Sequence, residues 1–276
     1  MISILSLFNR LPVFFGKLFK IFVLFGFVFF VKVGYSEQSL TLLIDSSEGG
    51  ENSEKRKEQL KKYLNNNQCN VQTINFDDQP QSNTTYDLIF KPLEKNLSSD
   101  YSRQLLIKVL DDTQLTASIM VRKSTAIESL ENLDNIHIAF LSEQSELGYR
   151  LPVEMFDQAG VNFTKHNITF TQSNLGAVSL LMHKDVFAAV IATPLARRWA
   201  ITNDLSVVSK TRELAPGGIW FHKNMSDQRI KLCKGAFVLL NQSDRRAKKL
   251  LSIFPGWIES FTAFSNEAHS KLQLKN

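Results

Sequence analysis

The stretch from Ile136 to Pro194 constrains the fold more than any other part of the chain. An apolar, strand-like run, Ile136-His-Ile-Ala-Phe-Leu141, leads into a polar loop, Ser142 to Gly148, and then into a helix-like segment from Tyr149 to Ala159 that stops at Gly160. A second strand, Asn167 to Thr171, restarts the pattern. Gln172-Ser-Asn174 opens a helix-like run to His183, and Val186-Phe-Ala-Ala-Val-Ile-Ala192 reads as a buried strand. Strand, polar loop, helix and strand in alternation build an α/β fold around a parallel sheet. Both polar loops fall at the carboxyl end of a strand and the start of a helix. Ligands bind at such points in open α/β sheets, and the free N–H groups of a helix start favour anions.

The flanking sequence extends the pattern. Leu40-Thr-Leu-Leu-Ile44 is a strand, followed by the loop Asp45-Ser-Ser-Glu-Gly-Gly50 and a charged helix from about Ser53 to Leu64. Val71 to Phe76 alternates as a strand does, and Tyr86 to Phe90 is the next one. Leu105 to Leu110 and Leu115 to Val121 flank Asp111-Asp-Thr-Gln114 and are expected to pair as a hairpin. Toward the C-terminus, Ser226 is the expected N-cap of a helix carrying Ile230, Cys233, Phe237 and Leu240, and another helix starts at Ser243 to Arg246 and ends near Pro255. Trp257, Phe261 and Phe264 are expected to form a third amphipathic helical stripe.

The first residues have the layout of a secretory signal peptide. Arg10, Lys17 and Lys20 precede the apolar core Ile21 to Val31, and Gly34-Tyr35-Ser36 offers small residues for cleavage. An uncleaved membrane anchor is the alternative. The whole chain has 32 basic and 27 acidic residues, but positions 1–36 hold four of the bases and no acid. The rest of the chain is almost neutral, so the basic balance does not point to nucleic acid. Two cysteines, Cys69 and Cys233, could bridge in an oxidising compartment. Their contexts, a strand entry and the apolar side of a helix, lead us to expect two separate buried thiols. No Cys/His spacing suggests a metal, and no cofactor motif is present.

No catalytic motif appears either: there is no G-x-S-x-G, S-x-x-K, H-E-x-x-H or P-loop. His137 and His222 sit in apolar strands, where a hydrogen-bonded structural histidine is the expectation; His166, His183 and His269 lie in polar contexts. The candidate ligand contacts are small polar residues at strand ends. Ser46 and Ser47 follow the first strand and Lys91 follows Tyr86 to Phe90. Ser142, Gln144 and Ser145 follow Leu141, with Glu146 and Tyr149 in the same loop. Ser173 and Asn174 open the next helix, and Thr193 follows Ala192. Hydroxyls and helix-start N–H groups together make a cradle for an oxyanion.

In the order and spacing of these segments the chain resembles the phosphate/phosphonate-type substrate-binding proteins of ABC importers, within the type 2 periplasmic binding fold. The residues that carry the resemblance are Ile138-Ala-Phe140, Ser145, Gly148-Tyr149, Pro152, Ser173 and Ala188-Ala189. Leu115 to Val121 and Ile127 to Leu133 extend it upstream, and Leu205 to Lys210, Pro216 and Ile219 to Lys223 downstream. The resemblance implies a two-lobe α/β molecule, each lobe a mixed sheet flanked by helices. Lobe one would be residues 37–122 and 205–276, and lobe two residues 123–204, with two hinge crossings at Val121 to Lys123 and Trp199 to Leu205. It implies an extracytoplasmic monomer, not an enzyme, that captures a small polar or anionic solute for an ABC permease. A sensor or accessory module of the same fold, feeding a membrane signalling protein, is the alternative. It also implies that Ser145 and Ser173 lie at the ligand. The family's loop reads Ser-Thr-Ser-Gly-Tyr where this chain has Ser145-Glu-Leu-Gly-Tyr149. Its Ser-His pair is here Ser173-Asn174, and its Gly and Asp are replaced by Lys184 and Phe187. Glu146 puts a negative charge beside the expected ligand position, and a second anion there would be unfavourable in a low-dielectric site.

Overall fold

The computed structural model describes residues 39–77, 84–162 and 164–264. The signal-peptide segment and His269 lie outside the described residues, as does most of the loop expected over 77–85. In chain order the elements are β1 (Leu40–Ile44), α1 (Glu54–Asn66), β2 (Val71–Phe76), β3 (Leu88–Leu93), β4 (Tyr101–Val109), β5 (Ala117–Arg122) and β6 (Ile138–Phe140). There follow α2 (Leu151–Gln158), β7 (Ile168–Phe170), α3 (Asn174–His183), β8 (Ala188–Ala192), α4 (Thr193–Thr202) and β9 (Leu205–Lys210). The chain then forms β10 (Pro216–His222), α5 (Asp227–Val238), α6 (Arg245–Leu251) and β11 (Ile258–Ala263).

Two mixed sheets result, with strand orders β11-β4-β10-β3-β1-β2 and β7-β6-β8-β5-β9. In the first, β1 runs parallel to β2 and β3, whereas β10 is antiparallel to β3 and β4. In the second, β6 runs parallel to β7 and β8, and β5 is antiparallel to β8 and β9. The alternation read over 136–194 is thus the parallel half of the second sheet.

Side-chain alternation along each strand sorts the core by face. Leu42, Ile44, Phe90, Ile219, Phe221 and Phe261 point to the side where Leu60 and Leu64 of α1 and Phe237 of α5 pack. Leu43 and Ile89 point the other way, with Tyr86, Leu97 and Tyr101. In the second sheet Ile119, Ile138 and Phe140 pack with Phe156 of α2. Met120, Ala139, Ala189 and Ile191 meet Ala177, Val178 and Leu181 of α3 and Ala196 of α4.

Several expectations are corrected. Residues 105–110 and 115–121 do not pair with each other: β4 bonds to β10 and β11, and β5 to β8 and β9. Asp111 and Asp112 take left-handed backbone angles, and the Leu110 N–H donates to Trp257 O at 3.0 Å, which turns the chain out of the first sheet. The crossings therefore fall at residues 110–116 and 211–215, not at 121–123 and 199–205, and β5 and β9 belong to the second sheet. The two crossings lie side by side, with the Leu214 N–H donating to Leu115 O and the Ala117 N–H to Thr211 Oγ1, both at 2.9 Å.

The stripe of Trp257, Phe261 and Phe264 is not helical. Residues 258–263 form β11 on the edge of β4, with Trp257 and Phe261 buried. Ser226 occupies the N-cap position of α5, but its hydroxyl makes no capping bond. Cys69 and Cys233 are not separate thiols. They form a disulfide, Cα–Cα 4.6 Å, that ties the α1–β2 corner to α5. The same helices are joined by the Tyr63 hydroxyl, which donates to Ala236 O at 3.0 Å. The pairing could not be read from sequence because the two residues are 164 positions apart and approach only when both helices dock on the first sheet.

Candidate functional site

The carboxyl ends of β1, β6 and β7 bring the loops of the two sheets together. The loop after β1 carries Asp45, Ser46, Ser47 and Glu48. Glu48 is the residue that sequence reasoning missed. It is almost fully buried, at 1 % exposure, although nothing in its own loop neutralises it. Its Oε2 accepts the Ser145 hydroxyl at 2.6 Å, and its Oε1 accepts the N–H groups of Glu146 at 2.7 Å and Leu147 at 3.2 Å. Ser145 Oγ also accepts the Gly148 N–H at 2.6 Å and so caps the helical turn 146–150 that runs into α2. The helix consequently begins at Glu146, three residues before the expected start at Tyr149, because Ser145 and Glu48 together satisfy N–H groups that a loop would leave to water. Gly148 is required here by packing: a Cβ would lie 2.4 Å from Leu141 Cβ.

Burial pushes the Glu48 carboxyl up to about 7, against the lowering effect of the Ser145 hydroxyl and the Leu147 and Glu146 N–H groups; the nearby Asp45 charge adds to the rise. Asp45 is itself held. Its Oδ2 is 3.0 Å from Lys91 Nζ, and its Oδ1 accepts the Ser47 N–H at 3.0 Å. Lys91 does not follow the strand as expected but lies within β3, buried on the sheet. The Ser142 hydroxyl donates to Ser47 O at 3.4 Å, a second link between the loops.

The remaining sequence candidates divide into two groups. Thr193 Oγ1 lies 2.6 Å from Thr116 Oγ1 and 2.7 Å from Ser118 Oγ, a buried hydroxyl cluster beside the first crossing that also escaped the sequence reading. Asn174 Oδ1 accepts the Ala192 N–H at 3.0 Å, and the Ser173 hydroxyl caps α3 by accepting the Gly176 N–H at 3.0 Å. Tyr149 packs edge-on against Phe140 and Phe170, at 5.2 Å to each ring. By contrast, the side chains of Ser46, Gln144 and Glu146 make no hydrogen bond among the described residues and remain partly exposed. A signal for Glu48 existed in the sequence: an acid in the short loop after a mostly apolar strand, followed by Gly49-Gly50.

The histidines among the described residues have structural roles or are exposed: His137 Nε2 bonds Thr169 Oγ1 at 2.8 Å, and His222 stacks edge-on against Tyr101. Among the described residues no group of three His, Cys, Asp or Glu side chains is placed to hold a metal, and no helix is long and apolar enough to cross a membrane. A pocket of ≈320 Å³ lies elsewhere, beside Arg103, which sits over Trp220 and Phe264 and pairs with Glu94 at 3.1 Å; none of the residues chosen from sequence lines it.

Residues 96–269, more than half the chain, match the family model described as ABC transporter, phosphonate, periplasmic substrate-binding protein. The chain belongs to this family. Its members are substrate-binding components of transporters rather than enzymes. Solved structures share the fold at low identity. A binding-protein component of an ABC phosphonate transporter from Pseudomonas aeruginosa is 15% identical with TM-score 0.51, over 85% of this chain and 84% of that one. PhnD1 from Prochlorococcus marinus in complex with methylphosphonate is 16% identical with TM-score 0.53, over 86% and 97%. A protein from Xanthomonas citri bound to chloride ion is 13% identical with TM-score 0.56, over 86% and 95%. A comparison with curated proteins finds no match. These similarities support the two-sheet type 2 periplasmic binding fold expected from the sequence.

Proposed function

We propose that this chain is an extracytoplasmic solute-binding protein. It would capture a small polar or anionic solute between its two sheets and deliver it to an ABC permease, acting as a monomer. Binding would close the lobes about the paired crossings at 110–116 and 211–215, with no bond chemistry. The observation that carries this reading is the convergence of polar groups from both sheets at the carboxyl ends of parallel strands, the loop of β1 meeting the helix start after β6. Family membership supports it. The disulfide supports an oxidising compartment outside the cytoplasm. Ser46, Gln144 and Glu146 are the proposed ligand contacts from the loops that meet there. Ser173, Asn174 and Thr193 would stiffen the opposite wall, since their side chains already have partners.

The test is a thermal-shift screen of the oxidised protein against phosphate, phosphite, phosphonates, organic acids, amino acids and polyamines. A true ligand at about 100 times its dissociation constant adds about 2.7 kcal/mol. At about 2–4 °C per kcal/mol for a chain of this size, the midpoint should rise by several degrees. A panel that leaves the midpoint unmoved throughout would count against solute capture.

A further inference from the structure

The helix start after β6 binds an oxyanion, and that oxyanion is part of the chain itself. The Ser145 hydroxyl and the Glu146 and Leu147 N–H groups converge on the two oxygens of one carboxylate at 2.6–3.2 Å. Ser145 accepts only the Gly148 N–H, so the N–H groups of Glu146 and Leu147 are left for another acceptor. Glu48 takes the further donors, which would otherwise be available to an incoming anion. It comes from the opposite sheet, 97 residues before Ser145.

The loop is shaped to present it. Gly49 and Gly50 have φ of 87° and 126°, angles that other L-residues rarely adopt, and a Cβ on Gly50 would lie 2.4 Å from Ile253 O. The turn that folds Glu48 inward is thus set by the backbone and by the segment after α6. A phosphonate or phosphate seated on the same donors would need its oxygens where the Glu48 oxygens now are. Two anions cannot share three donors at these distances in a buried site, where repulsion is weakly screened.

We infer that Glu48 is the resident occupant of this cradle, competing with external oxyanions for the donors of residues 145–147, so that while it is in place the site admits a neutral or cationic polar solute. This rests on the reading above that the solute binds where the two sheets' loops meet. Ser46, Gln144 and Glu146 are the groups left to meet such a solute.

The experiment is calorimetric titration of the full oxidised protein with methylphosphonate and phosphite, for wild type, Glu48→Ala and Glu48→Gln, at a pH well above 7 so that the Glu48 carboxyl is ionised. Wild type should bind both anions weakly. Glu48→Ala should bind methylphosphonate at least tenfold more tightly, and Glu48→Gln, which keeps the shape but not the charge, should fall between. Tight wild-type binding that Glu48→Ala leaves unchanged or weakens would overturn the inference. If the variants do not fold, amide NMR of wild type decides. The Glu146 and Leu147 resonances should stay in place during methylphosphonate titration, and saturable shifts at micromolar anion would overturn the inference. A solute that stabilises wild type while Glu48→Ala gains no oxyanion affinity would refute the occupant role and leave solute capture standing. Gained oxyanion affinity with no wild-type ligand in the panel would uphold the occupant role and refute solute capture.

Discussion

Reducing the Cys69–Cys233 disulfide should destabilise the protein substantially without changing its fold. The bridge joins the first half of the first sheet's layer to its last third, and the loop it closes contains the whole second sheet. For the 164-residue separation, the chain-entropy estimate of the denatured-state restriction is about 5 kcal/mol. Native disulfides commonly contribute about 2–4 kcal/mol, and at about 2–4 °C per kcal/mol the thermal midpoint should drop by roughly 5–15 °C on reduction. The comparison is urea and thermal unfolding of wild type, oxidised and reduced, beside Cys69→Ala/Cys233→Ala. Alanine is preferred to serine because both positions are fully buried and a serine hydroxyl there would lack a partner. The denaturant slope should rise as the midpoint falls, since the uncrosslinked denatured chain is more expanded. The packing of α1 on α5 has support besides the bridge, including the Tyr63 to Ala236 bond, so the reduced protein should still unfold cooperatively. A reduced wild type with the midpoint and slope of the oxidised form would show that the cross-link restricts nothing.

The Glu48 carboxyl, raised to about 7 from 4.5, makes folding depend on pH. Below pH 4.5 it is protonated in both states. Between there and about 7 the unfolded chain ionises first, so stability should fall as pH rises, by up to about 3 kcal/mol, and then level off. Urea midpoints across this range should show that fall in wild type and lose it in Glu48→Gln; equal slopes in the two proteins would contradict it. Lys91→Met would strand the Asp45 carboxylate in a buried site and should cost about 3–5 kcal/mol in urea unfolding, with most of the loss restored in Asp45→Asn/Lys91→Met. Glu146→Thr removes a charge from the helix start but leaves Glu48 on the donors, so its gain in methylphosphonate affinity should be smaller than that of Glu48→Ala; calorimetry that ranked them the other way would place the competing charge on Glu146.

Much of this architecture was legible in the sequence, and the losses share one cause. The stretch over 136–192 gave up its strands and helices because periods of 2 and 3.6 are properties of the local backbone, and Ser53, Asp244 and Ser173 marked helix starts through bonds to residues two or three positions away. The spacing of Trp257 and Phe261 suits a helix as well as a strand; the edge of β4 decided for the strand. Whether 105–110 and 115–121 would pair depended on the left-handed turn at Asp111 and Asp112 and on Trp257, more than 140 residues away. At the site, local pattern by itself marked a polar loop and then a helix after β6, but it put the helix start at Tyr149; the start at Glu146 needs Glu48 as well as Ser145. Only the tertiary structure decided that Glu48 meets that start, that Lys91 neutralises Asp45, and that Cys69 meets Cys233. Each of these depends on a buried charge or thiol finding a partner between 46 and 164 residues away, and no local pattern records which partner the packing of two sheets will bring within reach.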